Sequence, residues 1–570
     1  MIRPPLRAIP GGAGDGLPHA VRRIPGVAAA ALSALFVLPH ANPNAAGATS
    51  AMELRKTKMR RRWIRAASTR AIPAAVAVGL SVAVGACAQP TLAAGAGHTD
   101  RSWAAAEQIG HAGRWLTDAS GRVVIIHGVN MPSKLLPAYP SARGFGPADA
   151  VLLARMGINA VRITVERYAV EPTPGTFDAA YVDHIAQTVQ MLAEHHIFTL
   201  IDFHQDDFGP AFLDNGYPTW MTVTDGLTNN DHLPFPEQYV LNPALNRAFD
   251  HLWANDIGPS GNRLQADDAG ILSYVAAHLR HQPGLLGYEI LNEPWPGSVF
   301  RSCLNPATGC PAFDKGPLSA YYRRMATALR AADPVHMIWY EPLVTFNFGT
   351  PTSVTPPGGH LIGFAFHDYK LCTRLIPTAP CGRQDALVIS HALAQSAATG
   401  NALLETEFGA TTNTAQIAGQ LSLYDQNMIS WMFWSYPLDI DPPAPGGSLL
   451  PPTPGNLNQP VVNVLTRPYP QLVSGTPTAW NFDPGTDIFT LQYSTARADG
   501  AGTFAPGAVT QIAVPARVYP HGYRVTVGGG VVIPSPDLPG ILLVGACRGA
   551  STVTVTVSPG TQGPGAGSCG

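Results

Sequence analysis

Two glutamates in this sequence stand where side chains could carry acid–base chemistry. Glu293 closes the stretch 285–293, which begins as an apolar run typical of a buried strand and must stop at Pro294, because proline cannot extend a ladder. Glu407 follows a second such run, 402–406. Alone, Asn292-Glu293-Pro294 fits equally well a strand end capped by polar residues. With a second carboxylate opposite, the pair suits cleavage of a glycosidic bond, which needs one acid to protonate the leaving oxygen and one carboxylate to attack the anomeric carbon.

The neighbours of the two glutamates indicate which role each one takes. Glu407 can be held ionised by Arg162 and by the phenol of Tyr369, which suits the nucleophile. Glu293 lies beside a proline and a tryptophan, and such apolar neighbours favour the protonated carboxyl that a general acid requires. Glu405 shares the alternation of Glu407 but lies two residues deeper, and we interpret it as structural.

Short apolar runs alternate with amphipathic segments, which is the pattern of parallel β/α units. The predicted strands are Val123–Gly128, Ala160–Ile163, Phe198–Phe203, Leu285–Leu291, Met337–Tyr340, Leu361–Phe366, Ala402–Thr406 and Trp431–Trp434. The predicted helices are Ala148–Met156, Phe177–His196, Ile271–His281, Leu318–Ala332, Asp385–Thr399 and Ile417–Asn427. We therefore predict an α/β fold, a closed (β/α)8 TIM barrel over residues 111–466, with its active site at the carboxyl ends of the strands.

The pattern of apolar and polar residues changes at about Pro468. Short alternating segments separated by Gly/Pro turns predict a small C-terminal β-sandwich over residues 467–570. Its predicted strands are Phe489–Ser494, Gln511–Val514, Tyr523–Val527, Gly540–Val544 and Thr552–Ser558. We favour a structural role for this domain over independent binding of carbohydrate or lipid.

Polar or aromatic residues stand at the carboxyl ends of most predicted barrel strands. They are Arg162, His204, Asn292, Glu293, His367, Tyr369, Glu407 and Trp434. A single histidine is usually a core or loop residue, but His204 directly follows a strand and precedes Gln205-Asp206-Asp207, which favours a contact with a sugar hydroxyl. Trp434 could be plain core, although an indole at a barrel mouth also makes a floor for a sugar ring.

The composition narrows the class of partner. Charged residues make up 13% of the 570 residues, the net charge is −2, and no run of Lys or Arg lies in the body of the chain. We therefore expect no nucleic-acid partner. The length of 570 residues allows two domains, and the 57 Gly and 54 Pro predict many loops. We expect the protein to be a monomer.

The N-terminal region predicts export. A basic segment from Met59, an apolar run over 71–86 and small residues around Cys87, with no acid between residues 59 and 99, have the pattern of a signal peptide over residues 59–88, followed by a linker at 89–110. Val84-Gly85-Ala86-Cys87 also resembles the bacterial lipobox, so Cys87 is either lipidated or part of an ordinary cleavage site. Residues 1–58 predict a disordered or non-native extension, with translation starting at Met52 or Met59. We expect a bacterial protein that is extracellular or lipid-anchored at the cell surface.

Cysteine spacing agrees with an oxidising compartment. Apart from Cys87, the cysteines form three close pairs, none with the two-residue spacing of a zinc or redox site. The predicted disulfides are Cys303–Cys310, Cys372–Cys381 and Cys547–Cys569, each worth about 2 to 3.5 kcal/mol by loop entropy.

Several motifs resemble glycoside hydrolase family 5, retaining β-glycosidases on a (β/α)8 barrel, and more narrowly the endoglycoceramidases. The stretches that carry the resemblance are Asp202-Phe203-His204-Gln205-Asp206, Asn292-Glu293-Pro294-Trp295-Pro296-Gly297, Glu171-Pro172-Thr173-Pro174-Gly175-Thr176-Phe177, Gly128-Val129-Asn130 with Lys134 downstream, and Arg467-Pro468-Tyr469-Pro470. The resemblance runs from about Arg114 to Ser558 and leaves out residues 1–100.

The resemblance implies hydrolysis of the β-glucosyl bond between a glycan and ceramide, at a membrane or micelle surface, with no cofactor and no metal. It implies Glu293 as acid/base and Glu407 as nucleophile. The residues implied to bind the glucose or orient the carboxylates are Arg162, His204, Asp206, Asn292, His367, Tyr369, Trp434 and Lys134. A long aromatic loop over residues 206–246, including Tyr217, Trp220, Phe235 and Tyr239, is expected to shape the glycan and lipid grooves.

Two alternatives remain open from the sequence. One is a family 5 β-glucosidase or glucanase acting on glucosylceramide, steryl glucoside or β-glucan, which would keep the same two glutamates. The other is a catalytically inactive surface protein that binds glycolipid.

Overall fold

The computed structural model describes residues 108–369, 382–436, 457–535, 538–561 and 569. These residues form nineteen β-strands and, counting only those of four or more residues, ten α-helices. The strands are β1 Gly110–Ala112, β2 Trp115–Thr117, β3 Val123–Val124, β4 His127–Met131, β5 Ala160–Val165, β6 Phe198–Phe203, β7 Leu285–Glu289, β8 Ile338–Tyr340, β9 Ile362–Asp368, β10 Ala402–Gly409, β11 Trp431–Trp434, β12 Tyr469–Val473, β13 Thr476–Asp483, β14 Ile488–Ser494, β15 Val509–Ala513, β16 Tyr523–Gly528, β17 Gly530–Ile533, β18 Ile541–Ala546 and β19 Thr552–Pro559. The helices are α1 Pro147–Met156, α2 Arg167–Val170, α3 Ala179–Ala193, α4 Glu237–Leu241, α5 Pro243–Ala254, α6 Leu264–Leu279, α7 Ser319–Ala332, α8 Gly382–Thr399, α9 Thr414–Asn427 and α10 Gln459–Leu465.

Eight parallel strands close into a barrel in the order β4 to β11, with β11 pairing back to β4. The remaining strands form two antiparallel sheets, of seven and four strands, around a second core. The prediction of a (β/α)8 barrel followed by a β-sandwich is confirmed. Because the barrel strands are all parallel, their carboxyl ends meet at one face, and that face holds the site described below.

The predicted first barrel strand, Val123–Gly128, is wrong in its extent. Val123 pairs with Val473 of β12 in the seven-stranded sheet, and the barrel begins only at His127. The strands β1 to β3 therefore belong to the sandwich, although the sequence placed residues from 111 onward in the barrel. One continuous apolar run serves both domains, and hydrophobic patterning alone cannot show where the chain passes from one sheet to the other.

The predicted helices are confirmed in position, but their first residues, and some of their last residues, differ from the predicted ones. The helix predicted at Phe177–His196 runs over α3, because Asp178 caps its first turn by accepting the N–H of Tyr181. Helix α6 starts seven residues before the predicted Ile271, where buried acids interrupt the apolar pattern. Helix α5 was not predicted, and it begins at the cap Asn242 inside the expected loop over residues 206–246.

The lower half of the barrel is filled by hydrocarbon. Leu200, Leu286, Trp339, Leu404 and Met432 contribute to this interior cluster. A Cβ on residue 363 would lie 2.2 Å from the indole of Trp339, so glycine is required there for the ring to fit. The interior cluster gives way to polar side chains toward the carboxyl ends of the strands.

A β-bulge in β10 sets the direction of the predicted nucleophile. Glu405 pairs with Phe366 and Glu407 pairs with His367, so two residues of β10 oppose one residue of β9. The extra residue breaks the alternation: Glu407 faces Arg162 inside the barrel, whereas Glu405 faces the outer side near Tyr424 of α9. The prediction that Glu405 and Glu407 share one side of the strand is wrong for this reason.

The two disulfides within the described residues are Cys303–Cys310 and Cys547–Cys569, the pairs that cysteine spacing predicts. The predicted partners Cys372 and Cys381, the predicted signal peptide and Cys87 lie outside the described residues. None of the helices in the described ranges is both long and apolar enough to cross a membrane.

His127 links the barrel to the sandwich. Its ring is buried between Trp431 of the barrel and Tyr469 of the sandwich, with centroids 4.2 Å and 3.5 Å away. Burial, followed by the charge of Arg467, holds the pKa of His127 well below its usual value of 6.5. Arg467 itself pairs with Asp425 of α9.

His127 makes the stability of this protein depend on pH in a defined direction. Below about pH 6.5 the unfolded chain binds a proton at this histidine that the folded chain does not accept, so the free energy of unfolding falls as the pH falls. We expect His127→Phe, which keeps a stacked ring, to remove up to about 1.4 kcal/mol per pH unit of this dependence. Urea unfolding between pH 5 and 7.5 measures it, and parallel curves for the variant and the wild type would contradict the assignment.

Candidate active site

The carboxyl groups of Glu293 and Glu407 face each other at the mouth of the barrel. An oxygen of one lies within 4.8 Å of an oxygen of the other, and both lie close to Nδ1 of His367. Glu407 reaches this position from β10, and Glu293 from the turn after β7. Both carboxyls are almost fully buried, with 4% and 9% of Glu407 and Glu293 exposed, so each needs partners.

Arg162 is the cation around which the carboxylates gather. Its Nη1 donates to Glu407 at 2.5 Å, and its Nε donates to Glu289 at 2.6 Å. Its Nη2 lies 3.1 Å from Asp202 and 3.7 Å from Glu341. The guanidinium also donates to the side-chain oxygens of Asn130 at 3.0 Å and Asn292 at 2.9 Å. One fully buried guanidinium therefore fixes side chains from five strands or strand ends.

Glu407 is held in its ionised form. Burial alone would favour the neutral acid, but His367, Arg162 and His204 lower the pKa of Glu407 below its usual value. Tyr369 adds a hydrogen bond to the second oxygen at 2.5 Å. An ionised carboxylate with both oxygens supported is what a nucleophile requires.

Glu293 has a different set of contacts. Asn347 donates to its Oε1 at 2.7 Å, and Nδ1 of His367 lies 2.9 Å from the same oxygen. Its backbone has φ 42°, in the left-handed region that non-glycine residues seldom adopt. No guanidinium or ammonium group among the described residues lies within salt-bridge distance of this carboxyl, in contrast to Glu407.

A second group of residues lies along one side of the pair. Nδ1 of His204 lies 2.5 Å from Asp202 and its Nε2 lies 3.4 Å from Asp206. Burial and the charge of Lys134 oppose protonation of His204, but these carboxylates raise its pKa to about 9. Lys134 pairs with Asp206 and sits 4.5 Å above the ring of Trp434. The result is a polar wall beside an indole face.

The structure brings together all ten residues that the sequence predicted for this site. It also adds five that were not predicted as site residues: Asn130, Asp202, Glu289, Glu341 and Asn347. A signal existed for the acids, because Asp202 and Glu289 interrupt apolar strand runs and Glu341 directly follows one. Asn347 lies on a short 3-10 turn, where no periodicity marks it.

Two of the four aromatic residues named in the predicted loop are buried. They are Tyr217 and Tyr239, and Tyr217 lies against Tyr321 and Asp268. Hydrogen bonds of these two phenols hold the loop in place, and the expectation that the loop shapes the glycan and lipid grooves stays a prediction. Trp220 is partly exposed and donates to the backbone of Glu171.

The acidic clusters of the site have the composition of metal sites. Asp202, His204 and Glu407 form one such group, and Glu289, Glu341 and His367 form another, each with ligand atoms within 4.8 Å of one another. The guanidinium of Arg162 lies between these groups, in the position from which a cation would neutralise both. The arrangement is thus organised around a fixed organic cation.

Tyr369→Phe should raise the pKa of Glu407, because it removes a hydrogen bond that favours the ionised form. A hydrogen bond to a charged group is worth about 1.5 to 3 kcal/mol, or about 1 to 2 pKa units. The acidic limb of kcat/KM for an aryl β-glycoside, which contains the β-glycosidic bond predicted as the target from the sequence, should therefore move to higher pH by about that amount. Tyr424→Phe, which removes a buried phenol on the outer side of the barrel, is the matched control and should leave the limb in place.

Comparisons with known proteins agree with this geometry. A profile of Cellulase (glycosyl hydrolase family 5) matches residues 118–437, and a profile of the glycoside hydrolase family 5 C-terminal domain matches residues 467–557. Endoglycoceramidase I of Rhodococcus hoagii (strain 103S) is 32% identical over 79% of this chain and 88% of its own length. Endoglycoceramidase of Hydra vulgaris is 27% identical over 72% of this chain and 81% of its own length.

A solved structure shares the same architecture. Endo-glycoceramidase II from Rhodococcus sp., in its ganglioside GM3 complex, superimposes with a TM-score of 0.64 at 26% identity, covering 78% of this chain and 99% of that chain. The Cellulase profile spans more than half of the 570 residues, and the Rhodococcus hoagii relative is matched over most of both chains. The chain belongs to glycoside hydrolase family 5 and is a glycoside hydrolase.

Proposed function

We propose that this enzyme hydrolyses the β-glucosyl bond between the glycan and the ceramide of glycosphingolipids, with retention at the anomeric carbon. The observation that carries the proposal is the approach of Glu293 and Glu407 to within 4.8 Å. Retaining glycosidases hold their carboxyl groups about 5 to 5.5 Å apart, whereas inverting ones leave about 6.5 to 9.5 Å for a water. The endoglycoceramidases among the relatives support the lipid substrate.

In the first step Glu407 attacks the anomeric carbon of the glucose. A bond forms between that carbon and the Glu407 carboxylate, while the bond to the ceramide oxygen breaks and Glu293 gives that oxygen its proton. Arg162 and Tyr369, which bond the two oxygens of Glu407, orient the attacking carboxylate. Ceramide leaves as a neutral alcohol.

In the second step Glu293 acts as a base. It removes a proton from water, whose oxygen attacks the anomeric carbon, and the bond to Glu407 breaks to release the glycan and the free carboxylate. Glu293 thereby regains its proton. Nδ1 of His367 lies 2.9 Å from Glu293 and 3.6 Å from Glu407, so the His367 ring interacts electrostatically with both carboxyls in each step.

The polar wall beside Trp434 would hold the glucose. Asp206 and His204 offer an acceptor and donors for sugar hydroxyls, and Lys134 offers an ammonium directly over the indole. Asn292, fixed by Arg162, lies next to Glu293 in the chain and can orient a hydroxyl beside the scissile bond. These four residues and the indole therefore form the proposed glucose subsite.

A lipid surface is the proposed setting of the reaction. Leu135 and Leu136, which follow Lys134, are 48% and 53% exposed, and Leu213 beside Asp214 is 64% exposed. Lys134 pairs with Asp206, and the backbone N–H of Asp206 donates to the carbonyl of Asn215. Leu213 lies two residues before Asn215 in the chain. Exposed leucines beside a substrate subsite suit contact with a micelle or bilayer. We infer from the sequence that the protein is exported.

A second candidate is hydrolysis of another β-glucoside, such as glucosylceramide, steryl glucoside or β-glucan. It is favoured by the match to the Cellulase profile and by a Glucosylceramidase from Rhizopus delemar that is 25% identical over 34% of this chain. An inactive glycolipid-binding protein is disfavoured, because both glutamates keep a full set of partners.

A substrate panel separates these candidates. Purified protein starting at Ala88 should release intact glycan from a glycosphingolipid such as ganglioside GM3 or lactosylceramide in detergent, as seen by thin-layer chromatography. It should release little reducing sugar from soluble β-glucan. Glucose released from glucosylceramide alone, with no glycan from the longer lipids, would instead support the second candidate.

Substitution of each glutamate tests the assignment of roles. Glu407→Gln should abolish turnover of every substrate. Glu293→Gln should lose about 10² to 10⁴ in rate on glycolipids but far less on a dinitrophenyl β-glycoside, because that leaving group needs no general acid. Thermal melts should be unchanged or raised, since both glutamates are kept for chemistry at a cost in stability. Equal losses on both substrates for Glu293→Gln would contradict its role as the acid.

A further inference from the structure

Glu341 is a buried acid that the proposed reaction does not use. It directly follows β8 and is 2% exposed. The phenol of Tyr322 on α7 donates to the carbonyl of Glu341 at 2.8 Å and accepts its N–H at 3.2 Å. The main chain is thereby fixed from outside the barrel, while the side chain points toward Glu293 and His367.

The two oxygens of the Glu341 carboxyl have different surroundings. Oε2 accepts the backbone N–H of Glu293 at 3.1 Å and lies 3.6 Å from Nε2 of His367. Oε1 receives no hydrogen bond from any donor in the described part of the chain. One of its oxygens also lies within 4.8 Å of an oxygen of the Glu289 carboxyl.

Two buried carboxyl groups this close to each other repel when both are ionised. Glu289 accepts from Nε of Arg162 at 2.6 Å. Glu341 has no such contact, since Arg162 stays 3.7 Å away. Burial, followed by the charge of Glu289, raises the pKa of Glu341 well above its usual value, which favours its protonated form.

The backbone of Glu293 needs support from its neighbours. A non-glycine residue at φ 42° costs about 1 to 3 kcal/mol and persists only where the surroundings enforce it. Gln205 donates to the carbonyl of Glu293 at 3.0 Å, and Glu341 accepts from its N–H. Glu341 also lies against His367, which bonds the Glu293 carboxyl. It is therefore close to both ends of the proposed acid.

We propose that Glu341 is a positioning residue for the acid/base: its side-chain oxygen accepts the backbone N–H of Glu293 and so holds that residue in its left-handed conformation, with the carboxyl aimed at the leaving oxygen. This proposal rests on the proposed function, in which Glu293 protonates the leaving group. The groups that face Glu341 are Glu289, Glu293, His367, Arg162 and Tyr322.

Two substitutions at this position separate its hydrogen bond to Glu293 from its charge. Glu341→Gln is uncharged and keeps a carbonyl oxygen for the Glu293 N–H, so it should retain rates on both substrates within about threefold, with an unchanged pH profile. Glu341→Met keeps the length and removes the bond to the Glu293 N–H. A small misplacement of a reacting group costs about 10² in rate. We expect that loss on a glycolipid, and a loss below about tenfold on a dinitrophenyl β-glycoside.

Controls make each outcome decisive. Glu405→Met removes a buried acid that faces the outer side of β10, and it should affect both substrates alike. A Glu341→Met variant with equal losses on both substrates would overturn the positioning role, as would a Glu341→Gln variant that loses more than about tenfold. The Gln variant keeps this test valid if the Met variant does not fold. Glu293→Gln, assayed in parallel, overturns the acid/base assignment itself if it shows no difference between the substrates.

Discussion

The site depends on one buried guanidinium placed among several carboxylates. Arg162 is fully buried and lies within 4 Å of Asp202, Glu289, Glu341 and Glu407, which come from four different strands or strand ends. Each of these acids would be costly to bury alone, and removal of the cation would leave them uncompensated. The same contact therefore joins neighbouring strands and keeps the proposed nucleophile ionised. Fold stability and reactivity share a single side chain.

Regular barrel geometry would not by itself aim the two glutamates at one point. Glu407 faces inward because the bulge in β10 adds a residue between it and Glu405. Glu293 is directed by a left-handed backbone position in the turn that follows β7. Both are local departures from ideal structure, and both are maintained by hydrogen bonds from neighbouring strands. The regular barrel places the two glutamates at its mouth, and the two local distortions turn their carboxyl groups toward each other.

Much of this could be predicted from the sequence because the relevant signals are local. Alternation of apolar runs with amphipathic helices predicts the barrel, and polar residues that follow those runs, such as His204 and Asn292, predict the site. The bulge at Glu405 to Glu407 has no local mark, because it is set by pairing with β9. The partner of Val123 is likewise decided by a strand far away in the chain. Asn347 was missed because a short 3-10 turn has no period to read.

The strands that precede the barrel carry a further implication for how this protein is made. Val124 pairs with Leu472, so the seven-stranded sheet cannot assemble until the whole barrel sequence has been synthesised. During synthesis β1 to β3, which pair with one another, emerge before the barrel strands, and β3 stays without its partner β12, which leaves a sheet edge open to foreign strands. The barrel sequence therefore forms one long loop between β3 and β12, and pairing of these strands closes that loop. A gene cut at residue 467 would therefore yield a barrel preceded by three strands whose sheet lacks its other four.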